Sequence, residues 1–284
     1  MIADSVIYIW LVTIINYLRL MKTSILSTKD AELLEKLIAT YGKVVTSRQI
    51  HKEATHIGGY QQTKNRIRRL SENGWLIRLK RGLYEIADLS SRGFPSLSPY
   101  VIANLLVETS YVSFEAALSH HGMFDQLPAQ FISISLKQFR EIELGSVCYR
   151  FIKTQKNHYT GWEQVAFDSL TAKIALAEKA LVDLVHFRKS LYTVDLVIEK
   201  LQTQQERLNF SHIVDYLGEA SQVTIKTFGL VFDLFGWDSA RLYRLVRNRK
   251  STHRIHSNDR TFNARWRLYY DAYLDKYGKQ EGAA

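Results

Sequence analysis

Apolar residues recur at helical spacing over Lys29–Tyr41, at Ala31, Leu34, Leu37 and Ile38, which predicts an amphipathic helix closed by Gly42. Thr46-Ser47-Arg48-Gln49 has the form of a capping box and opens a short helix to about Ala54. Gly58-Gly59 breaks the chain, and a third helix is expected from Tyr60 to Asn73, stopped by Gly74. Trp75–Leu79 and Leu83–Ile86 then read as short strands joined by Lys80-Arg81-Gly82, a composition suited to a tight hairpin. Three helices followed by a hairpin is the order of a winged helix-turn-helix.

Leu89–Pro99 is rich in Ser, Gly and Pro and lacks periodicity, so it reads as a linker. Beyond it the pattern is mixed. Tyr100–Val107 is apolar and reads as helix, and Ser113 is placed to cap a helix that runs through His121 to Gly122. Phe131–Leu136 and Val147–Ile152 are strand-like. From Leu170 the pattern turns helical: Leu170–Phe187, Val194–Glu206, Phe210–Glu219, Ile225–Phe235 and Ser239–Asn248. Trp266, Tyr269-Tyr270 and Tyr273 also fall at helical spacing, as in a last helix docked on its own domain. The expected fold class is α+β, with an N-terminal winged helix-turn-helix over residues 22–88, a linker over 89–99, and a mainly helical α+β domain over 100–284.

Residues 1–21 stand apart. Val6–Ile15 is apolar except for Thr13, yet shorter than the roughly 20 residues that span a bilayer as a helix. A secretory signal would carry basic residues first, and here Asp4 is the only charge ahead of the apolar stretch. Met21-Lys22 has the form of an ordinary start, so translation is expected to begin there; a short membrane anchor is the competing reading.

Charge changes the picture more than composition does. The net charge is +10, and it is concentrated at the two ends. Residues 22–87 hold 13 Lys/Arg against 6 Asp/Glu, residues 241–284 hold 11 against 4, and residues 88–240 hold 13 against 17. Basic ends flanking an acidic centre favour a polyanion as partner. A single cysteine, Cys148, excludes an internal disulfide framework and a multi-cysteine zinc site, and suits a reducing, cytoplasmic setting.

Projected as a helix, Tyr60–Asn73 gathers Thr63, Ile67 and Leu70 into a buried stripe. Gln61, Lys64, Asn65 and Arg68 lie opposite, with Arg66 and Arg69 further round. Amide and guanidinium groups pair bidentately with purine edges in the major groove, and flanking cations meet phosphates. These side chains are therefore the candidate readers of double-stranded DNA. Thr46 and Arg48, at the start of the second helix, and Lys80 and Arg81, at the hairpin tip, are candidate backbone contacts. A solvated basic face that mediates protein contacts is the alternative. Arg241, Arg244, Arg247, Arg249 and Lys250 form a candidate second polyanion surface.

Candidate chemistry elsewhere is thin. There is no P-loop, G-x-G-x-x-G or G-x-S-x-G pattern. His120 and His121 are adjacent and diverge on a helix, while His253 and His256 sit in a basic polar stretch, so no metal site or cofactor is expected. Glu178, Lys179 and Asp183 are the nearest approach to a metal-dependent nuclease set, but five-residue spacing makes the two carboxylates diverge. They read as structural charges, Ser113 as a cap, and Cys148 as buried packing. No catalytic residue is assigned, and the chain is not expected to be an enzyme.

Four segments taken in order carry a resemblance. They are Arg78-Leu79-Lys80-Arg81-Gly82-Leu83-Tyr84, then Tyr111-Val112-Ser113-Phe114-Glu115-Ala116-Ala117-Leu118-Ser119-His120-His121-Gly122. Ala177-Glu178-Lys179-Ala180-Leu181-Val182-Asp183-Leu184 and Thr227-Phe228-Gly229-Leu230 follow. From about Thr28 to Tyr270 the chain resembles the AbiEi-type antitoxins of bacterial type IV toxin–antitoxin and abortive-infection systems. The resemblance implies a winged helix that represses its own operon at inverted repeats. It also implies a second domain that opposes a nucleotidyltransferase-like toxin, in general without a stable complex. The apolar leader departs from the family pattern. A ligand-responsive winged-helix regulator is the first alternative and a metal-dependent nuclease the second.

Overall fold

The computed structural model describes residues 26–126 and 128–278; the leader and the question of a start at Met21 lie outside them. The chain divides into two compact units, the first ending at Ser98 and the second beginning at Pro99.

In the first unit α1 (Thr28–Tyr41) starts at Ser27, whose hydroxyl accepts the Asp30 N–H at 3.2 Å, and stops at Gly42, which takes φ 80°. Leu33, Leu34 and Leu37 are its buried apolar residues, whereas Ile38, expected in the stripe, is 43% exposed. Strand β1 (Val44–Thr46) is an addition to the sequence reading. The capping box is formed at the start of α2 (Ser47–Glu53): Thr46 Oγ1 accepts from Gln49 N, and Gln49 Oε1 accepts from Thr46 N at 2.7 Å. A single 3₁₀ turn, Ala54–His56, leads to Gly58-Gly59 and α3 (Tyr60–Glu72), which buries Thr63, Ile67 and Leu70 as its periodicity predicts.

Strands β2 (Leu76–Lys80) and β3 (Leu83–Ile86) form an antiparallel hairpin. The turn is Arg81-Gly82 alone, because Lys80 belongs to β2 and pairs with Leu83 across a register shift. Gly82 takes φ 76°, a conformation a side chain resists. With β1 the hairpin makes a sheet of order β1-β3-β2. One core joins Leu33, Leu37, Val45, Ile50, Ile67, Leu70 and Trp75. The stretch expected to be a linker is tied to this unit: the buried Glu85 carboxylate accepts Ser96 N at 2.7 Å, Ser96 Oγ at 2.6 Å and Leu97 N at 3.1 Å. Three bonds to Glu85 Oε1 hold the Ser-rich segment down, while Oε2 is buried without a protein partner.

The second unit is α+β. It opens with α4 (Pro99–Leu106), β4 (Ser110–Val112) and α5 (Phe114–His120). Strands β5 (Gln130–Ser135), β6 (Ile142–Leu144), β7 (Val147–Lys153), β8 (Trp162–Phe167) and β9 (Leu170–Ala175) follow. These strands complete a six-stranded mixed sheet of order β6-β7-β5-β4-β9-β8. The expected helix from Leu170 is corrected: 170–175 is the second strand of a hairpin with β8, and α6 (Ala177–Phe187) begins only after it. Helices α7 (Leu191–Thr203), α8 (Phe210–Leu217), α9 (Gln222–Leu234) and α10 (Ala240–Val246) succeed α6.

A small sheet of β10 (His253–Arg254), β11 (Thr261–Asn263) and β12 (Leu268–Tyr270), in order β10-β12-β11, ends the unit with a 3₁₀ segment, Ala272–Gly278. This overturns the expected aromatic helix. Trp266 is buried because the Gly229 backbone of α9 leaves room for its ring, and its Nε1 donates to Asp233 at 2.7 Å. No helix among the described residues is long and apolar enough to cross a membrane.

Candidate nucleic-acid interface

A groove of about 590 Å³ runs between the outer face of α3 and the β2–β3 hairpin. Gln61, Lys64, Asn65 and Arg68 line it from α3, and Arg81 and Gly82 line it from the turn. The four residues that helical projection gathers opposite the buried stripe lie on one wall, all exposed. Gln61 Nε2 donates to Asn65 Oδ1 at 3.4 Å, and Arg68 lies 3.4 Å from Glu72 with both side chains exposed. Contacts this long and solvated are worth little, so these groups remain available to a ligand.

The remaining candidates divide. Arg66 and Arg69 are turned toward α1, where Arg66 Nε lies 3.2 Å and Arg69 Nη2 2.6 Å from the buried Asp30 carboxylate. Arg66 is 17% exposed, so its place is in the helix packing. Arg48 is exposed, but the start of α2 is not an open phosphate cradle. Ser47 N donates to the Gly82 carbonyl at 2.9 Å, and Gln49 N donates to Thr46 Oγ1. The first of these bonds ties the hairpin turn to α2. Lys80 is half-buried and does not line the groove, unlike Arg78 two residues earlier.

Sequence reasoning missed Ser47, His51, Tyr60, Ser71 and Arg78, all of which line the groove. Tyr60, 73% exposed, packs on His51 with ring centroids 4.5 Å apart. His51 Nδ1 and Ser71 Oγ are buried without a protein partner. An exposed tyrosine at the start of an amide-rich helix was the available signal; the position of His51 depends on the angle between α2 and α3, which spacing alone does not give.

Residues 32–87 match the family model of AbiEi antitoxins, described as transcriptional regulators. The matched segment contains the whole groove, from Ser47 to Tyr84. At the level of fold the chain is similar to the crystal structure of the RV2827C protein from Mycobacterium tuberculosis, with a TM-score of 0.58 and 16% sequence identity. That likeness covers 86% of this chain and 92% of the other. No match was found among curated proteins.

Outside the matched segment, the residues weighed for catalysis are engaged in packing. Asp183 of α6 forms a buried ion pair with Lys179, and its Oδ2 accepts Ser113 Oγ at 2.8 Å and Tyr111 Oη at 3.1 Å. Burial and the Asp183 charge push the Tyr111 phenol well above its ordinary value. Ser113 precedes α5 yet makes no side-chain cap bond; its hydroxyl instead pins β4 to α6. Glu178 accepts Asn209 N at 2.8 Å and so points away from Asp183. His121 Nε2 is held by the Ala175 carbonyl at 2.8 Å. Among the described residues no cluster of His, Cys, Asp and Glu has the geometry of a metal site. Cys148, expected to be buried, is partly exposed, its Sγ donating to Glu141 at 3.1 Å.

The candidate second surface is exposed at Arg241, Arg244, Arg247, Arg249 and Lys250. Arg241 is paired with Asp215 at 3.0 Å.

Proposed function

We propose that the first unit is a winged helix-turn-helix in which α2 and α3 are the helix-turn-helix and the β2–β3 hairpin is the wing. It binds double-stranded DNA. The observation that supports this most is the groove that brings Gln61, Lys64, Asn65 and Arg68 opposite Arg78 and Arg81. An α-helix bearing amides and guanidinium groups fits the major groove, while cations on the hairpin meet the flanking phosphates. Arg66 and Arg69 contribute to this by orienting α3 through Asp30, and Arg69, half exposed, adds positive potential at its edge.

The match to AbiEi antitoxin regulators supports a repressor that acts on its own promoter, at inverted repeats, in a bacterial cytoplasm. The match does not reach the second unit; there the reading rests on the resemblance of the longer chain to AbiEi-type antitoxins. By that resemblance the second unit counteracts a nucleotidyltransferase-like toxin of a type IV system without forming a stable complex, and the chain itself catalyses no reaction. Gel-shift titration of the full chain against its own upstream region, across a salt series, tests the first half. Binding that resists random competitor DNA and weakens steeply with salt is expected. Affinity no greater than for random DNA overturns it. Rescue of growth when the chain is co-expressed with the neighbouring toxin gene tests the second half.

A further inference from the structure

The small C-terminal sheet has two unlike faces. Leu268 and Tyr270 of β12 are buried, whereas Tyr269 between them is turned outward and only half-buried. Strand register sets Phe262 of β11 on one side of Tyr269 and Arg254 of β10 on the other, so the three side chains form a row across the outer face. The Phe262 and Tyr269 ring centroids are 4.9 Å apart, and the Arg254 guanidinium carbon is 4.2 Å from the Tyr269 centroid. Arg254 is held in place by donating to the Asp259 carbonyl. Phe262 is 47% exposed, an apolar ring left open to water beside a second aromatic ring.

Cations border this row by their place in the chain. Arg249 and Lys250 lead into β10, Arg260 directly precedes β11 and Arg267 directly precedes β12, and all four are exposed. Asp259, next to Arg260, is buried and accepts His256 N at 2.7 Å, so it does not neutralise that cation at the surface. The connection from β10 to β11 also exposes His256, Ser257 and Asn258, which offer hydrogen bonds beside the row.

We propose that this outer face binds a strand of RNA through its unpaired bases. Phe262 is the stacking ring, backed by Tyr269, whose own face is covered by Arg254. Arg249, Lys250, Arg260 and Arg267 meet the phosphates, and His256, Ser257 and Asn258 reach the ribose hydroxyls. Every base has a π-face, so open aromatic rings beside cations suit a single strand, whereas the bases of a duplex are already stacked on one another. A duplex needs only the cations and would leave the ring row unused. The site lies wholly in the second unit and is independent of the DNA reading of the first.

Fluorescence anisotropy of the full chain with labelled oligouridine about 12 nucleotides long tests it, beside oligothymidine and a duplex of equal length. Oligouridine is expected to bind more tightly than either. Phe262→Leu keeps apolar bulk and removes the stacking plane, so it should weaken oligouridine binding by roughly 5- to 100-fold. Phe262→Trp should retain or strengthen binding, with the new indole fluorescence quenched as RNA is added. Both variants should bind promoter DNA as the parent does. Equal oligouridine affinity in parent and Phe262→Leu overturns the stacking platform. Oligothymidine or polyglutamate binding as well as oligouridine overturns the assignment to RNA.

Discussion

Arg69 Nη2 on α3 lies 2.6 Å from Asp30 Oδ2 on α1, and Arg66 Nε lies 3.2 Å from the other oxygen of the same carboxylate. Asp30 is 3% exposed, so two cations of the proposed recognition helix are held by one buried charge. Removing a single partner from such a set leaves a buried guanidinium without its counter-charge. Asp30→Ala is therefore expected to destabilise the first unit by about 3 kcal/mol, the lower end of the usual range because Arg69 is half in solvent. Chemical denaturation followed by far-UV circular dichroism would show the loss; a change below 1 kcal/mol would mean the ion set is no stronger than an exposed pair.

The same geometry separates neighbouring arginines by role. Arg68 lines the groove and its ion pair with Glu72 is exposed, whereas Arg69 is engaged by Asp30. If Arg68 bonds a guanine edge, Arg68→Ala should cost about 1–3 kcal/mol of operator binding and relax the choice of base at one position. Arg81→Ala should weaken all duplexes alike and lower the salt slope by about one. Arg69→Ala should cost less operator affinity than Arg68→Ala. A gel-shift series over operator variants reads all three, and identical specificity profiles for Arg68→Ala and the parent would remove Arg68 from the base-reading set.

How far the sequence carried depends on how local each determinant is. The capping box at Thr46 and Gln49, the stripe of Thr63, Ile67 and Leu70, and the Gly82 turn are set by residues within a few positions of one another, and all are found as read. The four exposed residues of α3 share the groove for the same reason. Leu170, Ala172 and Ile174 alternate with Thr171 and Lys173 as a strand does, but the run is short and passes directly into the apolar positions of α6, so a helical reading of the longer stretch absorbs it. Arg66 and Arg69 were placed among the DNA contacts because nothing near them in sequence reveals Asp30, which pairs with them from α1. Trp266 and Tyr269-Tyr270 fit a helical period, yet they belong to a hairpin whose inner face is defined by α9, more than thirty residues earlier.

That long-range fit makes Gly229 a position in the second unit where a side chain collides with its neighbour. A Cβ there would stand 2.2–2.4 Å from three ring carbons of Trp266, which is 1% exposed and bonded to Asp233. The indole is buried and its Nε1–H is bonded to Asp233, so moving it aside costs packing and a hydrogen bond. Gly229→Ala is expected to destabilise the unit by at least the 1–3 kcal/mol typical of overpacking, although alanine is ordinarily the better helix former. Trp266→Phe in the same background should recover part of the loss, because it shortens the ring and removes the clash. Additive losses in the double variant would show that the two residues do not collide.

Acid should loosen the second unit through His186. Burial first, then the neighbouring His158, Lys179 and Lys189, push its imidazole down to about 4. The ring Nδ1 accepts from Ser221 N at 3.3 Å, which suits the neutral form. In the unfolded chain the same histidine takes its proton near 6.5, so between that value and about 4 the unfolded state binds more protons than the folded one. Stability is then fully present above pH 6.5 and is lost as the pH falls through this window, levelling below about 4. His186→Asn keeps an acceptor toward Ser221 but has no proton to gain. Thermal unfolding measured from neutral pH to the acid end of that window should show the parent's transition falling more steeply than the variant's. Parallel slopes would place the acid sensitivity in other groups.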